Sequence, residues 1–463
     1  MSRNGARRIA KKVFIGAGAG FAGDRTDAAG PVVDALVRCD GARFLMFETL
    51  AERTLALAQL ERRRDPSRGY NAALDRFISP VLARCIDAGI RIVGNFGSAN
   101  PHAAARRIAA ITRELDLKTP RIAIVEGDDL IGRITPAELA ARETGSALLV
   151  PGREIISANL YLGAGTIAQA LDQGADIVVT GRVADSALAL GPLMHAFGWR
   201  ADDWDRLAAG TLAGHLLECG AQITGGYFAD PGVKDVPNLA EVGYPIAEID
   251  ADGGIIIGKP EGSGGRVDRL TVIEQLLYEI HDPAAYLAPD VVLDLTDVTV
   301  EEIAQDRVRV MGARGGPAPE TLKATVCVDG GVLGEAEISY AGANAAARAQ
   351  LAADIVLERM RQRAPSLAIR IDAIGVVSVL GSAGAALDIA ASPASDIRLR
   401  FAAQAATQAE VDMLLDEVEA LYCAGPAGGS GVRRRTTPRL ASASCLVERK
   451  FTTPRVVMLE AGA

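Results

Sequence analysis

Lys12-Val13-Phe14-Ile15-Gly16-Ala17, running into Gly18-Ala19-Gly20-Phe21-Ala22-Gly23-Asp24-Arg25-Thr26-Asp27, is the stretch that decides the fold. The first six residues are a short apolar run of the kind that makes a strand buried on both faces. Glycines and charges end it, and a helical pattern over 28–38 follows, with Thr26 or Asp27 as N-cap. The same unit recurs outward along the chain. RFLMFE (43–48), IRIVGN (90–95), RIAIVE (121–126) and ADIVVT (175–180) read as strands. Helical patterns over 51–63, 71–88, 102–115, 161–173 and 186–197 lie between or after them. Strands alternating with helices predict an α/β fold with a mostly parallel, doubly wound sheet in the N-terminal part.

The pattern changes past residue 224. A glycine-rich insertion over about 224–266 contains a hairpin signal at Asp252-Gly253-Gly254. After it come a helix over 267–280 and an α+β arrangement. That arrangement has strands at 291–295 and 307–313, a hairpin centred on Asp329-Gly330-Gly331, a long helix over 344–363, strands at 369–380 and 397–402, a helix over 410–422 and a closing strand at CLVERKF. Two domains are expected: 1–285, α/β with the insertion, and 286–463, α+β.

Composition narrows the function. With 463 residues, 49% hydrophobic and 23% charged, the chain can bury large cores. Its 49 basic and 58 acidic residues give a net charge of −9, which argues against a nucleic-acid or anionic-membrane binder. Six scattered cysteines without a CxxC pair read as reduced thiols. Four histidines without HExxH or HxH spacing disfavour a histidine-rich metal site. The basic start MSRNGARRIAKK lacks the apolar segment of a secretory signal, and the longest apolar stretch, 376–387, is too short to span a bilayer. A cytoplasmic protein and a homo-oligomer are expected.

Chemistry is expected at the strand ends. In open parallel sheets, ligands bind outside the carboxyl ends of the strands. Here those ends read GAGFAGDRTD, ETLAE, NFGSANP, EGDD and GRVADS. They should bring Asp24, Arg25, Glu48, Glu52, Asn95, Asn100, Glu126, Asp128, Asp129, Arg182 and Asp185 to one crevice, although each residue alone could equally cap a helix or close a turn. Gly18 to Gly23 matches G-x-G-x-x-G. However, Asp24 and Arg25 intervene before the helix, and a carboxylate there would repel a diphosphate, so the NAD signature is weak. Glu126-Gly127-Asp128-Asp129 could hold Mg²⁺ or another divalent cation, or perform acid–base work. Arg182 before the helix opened by Asp185 and Ser186 could clamp a carboxylate. His215, Glu218 and Cys219 share a helix face and offer a Cys–His nucleophile, against a buried structural cysteine. Lys259 to Arg266, with Ser263 and Gly264, and the glycine-rich 425–431 segment before Arg433, Arg434 and Arg435 are candidate anion nests.

GAGFAGDR, ETLAERTLAL, NFGSANP, VEGDD, SANLYLGA, TGRVADSALALGPL, LLECGAQITGGYF, GYPIAEI and KPEGSGG resemble the acyclic terpene utilization (AtuA) family, formerly a domain of unknown function, from about residue 12 to 455. The resemblance implies a setting in the catabolism of terpenoid or branched acids beside acyl-CoA steps. Longer relatives carry an additional small ferredoxin-like domain, which suggests a separate small companion subunit for this chain, or none. The joint expectation is a lyase on an acidic, CoA-linked acyl substrate. In it Glu48, Asp128 and Asp129 are catalytic, and Asp24, Arg25, Asn95, Asn100, Arg182, Asp185, Ser186, Lys259, Ser263 and Gly264 bind substrate. A metal-dependent hydrolase and a non-catalytic subunit of an acyl-CoA carboxylase-like assembly are the alternatives.

Overall fold

A computed structural model describes residues 10–145, 147–381 and 387–460. The N-terminal tail and part of the 376–387 apolar stretch therefore lie outside the described residues. Contacts divide the chain into two units, 1–327 with 442–463, and 328–441. Residue 285, where the sequence pattern changes, falls inside the first unit. The reason is that the strands after it, Thr299–Ala304 and Arg307–Met311, extend the same sheet as the N-terminal strands.

That sheet has ten strands. Five parallel strands form its middle in the order Lys12–Ala19, Ala42–Phe47, Arg91–Gly94, Ile177–Thr180, Ile122–Glu126. Antiparallel strands flank them on both sides. The hairpin Ile246–Asp250 and Ile255–Gly258, turning where Asp252-Gly253-Gly254 predicts, joins against Lys12–Ala19. So the glycine-rich insertion supplies sheet rather than a separate lobe. At the other edge Arg455–Met458, a strand absent from the sequence reading, pairs with Ile122–Glu126.

Alternating side chains put helices on both faces. Leu45 and Phe47 pack with helices Ala29–Val37, Leu74–Ala88 and Pro101–Glu114 in one core. Phe44, pointing the other way, meets His195 of helix Ala187–Phe197 edge-on at 6.4 Å. Gly16 is needed at the first face, since a Cβ there would lie 2.2 Å from Val32. No described helix is long and apolar enough to cross a membrane.

In the second unit, Ile369–Ile374, Asp396–Ala405, residues 328–341 and residues 430–441 lie side by side in that order. Helices Ala345–Arg363 and Gln408–Ala424 cover the sheet with an alanine-rich core. Glu417, only 5% exposed, ties the two helices through Arg359 and Arg363. The Asp329 hairpin is corrected: Thr321–Ala341 is one continuous strand. Gly331 takes the left-handed φ of +79° that the dipeptide favours, but Asp329 accepts its amide and the backbone runs on against Ala405. The 425–431 nest is corrected too. Arg434 is bound by Asp416 and Glu419 and Arg435 by Glu335, all within strand and helix packing, so neither cation faces that loop as a free donor.

Candidate functional site

The strand ends of the first unit do gather charge, but fewer groups than their sequence positions suggest. Glu48 closes the strand Ala42–Phe47 and is 7% exposed. Its Oε1 accepts from the Leu50 amide at 2.8 Å and from Asn95 Nδ2 at 2.9 Å. Asn95, from the next strand end, accepts the Thr49 amide through its Oδ1 at 2.7 Å. Asn95 is therefore the splint that holds Glu48. Burial, with Asp185 nearby, pushes the Glu48 carboxyl well above its usual range.

Arg182 lies at the centre, 3% exposed. One terminal nitrogen donates to Leu50 O at 2.5 Å, the other faces Asp185 at 3.2 Å, and the guanidinium stacks over the Tyr161 ring at 3.9 Å. Among the described residues its Nε has no hydrogen-bond partner. Lys323 sits 4.6 Å from the same ring and 3.4 Å from Glu52, with half its side chain exposed. Glu52 also accepts from the Tyr161 hydroxyl at 2.5 Å. Despite the cost of burial, that hydroxyl and the two cations hold Glu52 ionised, its carboxyl lowered to about 2. Asp185 differs. Burial drives it up to about 7, opposed by Arg182 and reinforced by Glu218 and Glu52. About a third of its side chain still reaches solvent, yet its Oδ1 is buried and lacks a hydrogen bond.

Asp128 supports this centre from below. Its Oδ2 accepts from the Arg182 amide at 2.9 Å and from Asn159 at 2.8 Å, and burial raises it to about 6. The other members of the acidic run point elsewhere. Glu126 binds His102 and Arg455, and Asp129 caps the Ile131 amide at 2.9 Å. The run does not converge on one ion. Among the described residues no group of three His, Cys, Asp or Glu side chains is placed to hold a metal.

Several sequence candidates have other employment. Asn100 caps helix Pro101–Glu114 and donates to Pro66 O and Arg68 O. Asp24 accepts from the Gly20 amide at 2.7 Å and from the Tyr244 hydroxyl, and Arg25 pairs with Asp27 and donates to Ala240 O. Asp27 thus serves Arg25, not the helix cap. Gly20 itself presses on Cys219 and Gly220, so the loop's close approach is to protein backbone and its amide is filled by Asp24. The Asp24 and Arg25 amides are likewise engaged, by Phe21 O and the Asp24 carboxylate, so three of the loop amides a diphosphate would use are taken. Gly20→Ala would bring a Cβ within 2.4 Å of the Cys219 carbonyl carbon. Thermal or denaturant unfolding should show a loss of about 1–3 kcal/mol. Lys259 is 5% exposed, bound to Asp306 at 3.3 Å and Ser263 O at 2.8 Å. The Ser263 hydroxyl turns back to Pro260 O, and Gly264 packs against Asn238 O. This loop is internally satisfied. Ser186 begins helix Ala187–Phe197 but does not cap it with its hydroxyl.

Cys219 is half-buried, and desolvation beside Glu218 pushes its thiol up to about 12, the reverse of what a nucleophile needs. His215, 2% exposed, pairs with Glu218 at 3.1 Å instead.

The family model described as "Acyclic terpene utilisation family protein AtuA" matches residues 13–458. The chain belongs to the AtuA family. No curated protein and no solved structure matches it. AtuA membership ties the chain to acyclic terpene utilisation without naming a reaction. In this AtuA protein the sequence reading missed Lys323, Tyr161 and Tyr286. Lys323 comes from a strand far from the α/β pattern, and the two tyrosines look like ordinary core residues in sequence.

Proposed function

We propose that the Glu48–Arg182–Asp185 cluster is the active site of a lyase that adds or removes water beside the carbonyl of an acyl substrate. The observation that carries this reading is a pair of carboxyls, both shifted upward, flanking one fixed guanidinium at the sheet's carboxyl edge. A carboxyl near 7 can exchange a proton at neutral pH, and a second kept neutral can donate a hydrogen bond to a carbonyl oxygen. Both hydrogen bonds to Glu48 fall on Oε1, which leaves Oε2 to carry a proton when the carboxyl is neutral. Asp185 then takes the proton on the carbon next to the carbonyl. The β-hydroxyl leaves as water with that same proton, handed on by Asp185, and addition is the reverse. C–C cleavage of a hydroxyacyl chain would use the same two groups.

Substrate anchoring passes from Arg182, whose terminal nitrogens are engaged, to Lys323 at the rim. A CoA-linked acyl chain is supported by the family's setting and not by the 259–266 loop. For the metal-dependent hydrolase, the described residues supply no convergent ligand set. The test is incubation with 3-hydroxyacyl and 2-enoyl thioesters and the free acids in deuterated water. Turnover with deuterium at the α-carbon is expected. Binding of these compounds without turnover or exchange would overturn the lyase reading and favour a non-catalytic subunit. Glu48→Gln, which keeps an amide donor, should retain about 1–10% of the rate, since a hydrogen bond of this kind contributes a few kcal/mol.

A further inference from the structure

Helix Trp204–Glu218 is locked to the start of helix Ala187–Phe197 by a glycine. A Cβ on Gly214 would lie 2.4 Å from Ser186 O. This contact sets the last turn of one helix beside the Asp185–Ser186 opening of the other. In that last turn His215 is buried with both ring nitrogens engaged, Nδ1 with Glu218 at 3.1 Å and Nε2 with Leu276 O at 3.3 Å. The Tyr286 ring lies 6.0 Å away. An imidazole that donates to a carbonyl on one side and faces a carboxylate on the other is held as a cation, and its place near a helix C-terminus favours the same state.

We infer that His215 and Glu218 form a fixed ion pair whose field sets the proton affinity of Asp185, making His215 a positioning residue for the proton-transfer step. The inference rests on the lyase reading of the same crevice. Glu218 supplies a negative charge in the helix turn that the Gly214–Ser186 contact packs beside Asp185, and His215, 3.1 Å from it, tempers that charge. The other ionisable groups facing Asp185 are Arg182 from its own turn, Glu52, Lys323, Glu48 and Tyr286, while Tyr286 and Cys219 also face Glu218. In agreement, Glu218 is among the groups that raise Asp185, and His215 itself is raised by its partner. Removing Glu218's charge lowers the Asp185 proton affinity. Removing only the histidine's charge raises it, because the glutamate is then unopposed.

The experiment compares the pH dependence of stability in wild type, His215→Gln and Glu218→Gln, each measured with and without Asp185→Asn, to isolate the Asp185 midpoint. Glu218→Gln should move that midpoint down by about one pH unit and His215→Gln up by a similar amount. Midpoints that stay put, or that move in the same direction, would overturn the inference. Glu218→Gln decides alone if His215→Gln does not fold. No substrate is needed, so opposed midpoint shifts in a protein without turnover would keep the coupling while discarding the lyase. Turnover with immobile midpoints would do the opposite.

Discussion

Arg182→Met should unfold at markedly lower denaturant, with a loss of about 3–5 kcal/mol at neutral pH. The residue is 3% exposed and serves four neighbours together: Leu50 O, Asp185, the face of Tyr161, and the nearby Glu52. A methionine fills much of the volume but leaves the Leu50 carbonyl without its donor and the carboxylates without their central counter-charge. The loss should shrink as pH falls from 8 to 5, because Asp185 then protonates and needs no cation, while Glu52 keeps its charge. Arg182→Lys should recover only part of the stability, since an ammonium cannot stack on Tyr161 while reaching two acceptors. Equilibrium unfolding at pH 5 and pH 8 checks both statements. An equal loss at the two pH values would mean that packing, not charge, is Arg182's contribution.

Asp185→Asn should lower turnover by about 10²–10⁴-fold, the range for removing a positioned proton-transfer group. The same substitution has a separable signature in stability. A carboxyl raised to about 7 in the folded chain keeps its proton where the unfolded chain has lost it, above roughly pH 4. Folding therefore binds a proton between these values, and the contribution of Asp185 to stability falls as pH climbs from about 4 to about 7, then levels. Glu48 acts in the same direction. The asparagine variant should lose that slope, seen as a flatter plot of melting temperature against pH. A wild-type profile that rises over this interval would contradict the placement of Asp185 as a raised acid.

The periodic apolar runs made the five central strands and their helices readable, because burial on both faces leaves a continuous hydrophobic signature that few other structures share. Glu48, Asn95, Arg182 and Asp185 were legible for a related reason. Each ends a strand, and parallel strands deliver their ends to one edge. Direction was not legible. Nothing in TGRVADS says that the arginine turns inward onto Tyr161, or that the Asp128 side chain supports the Arg182 backbone while Asp129 does not. The anion nests at 259–266 and 425–431 looked open because glycine and cations are visible in sequence, whereas their occupation is not: Lys259 is held by Ser263 O of its own loop and by the distant Asp306, and Arg435 by the distant Glu335. Asp329-Gly330-Gly331 misled for a local reason: the residues that favour a hairpin also tolerate a single left-handed residue within a strand. Arg455–Met458 is too short to announce itself and acquires strand geometry only from its partner.

That late strand carries a consequence for biogenesis. The sheet edge at Ile122–Glu126 is zipped by residues that follow the entire second unit in the chain. A nascent polypeptide leaving the ribosome must therefore hold an unfinished, pairing-competent edge until 328–441 has been synthesised. During that interval the edge is the place where a chaperone would have to act or where misassembly would start.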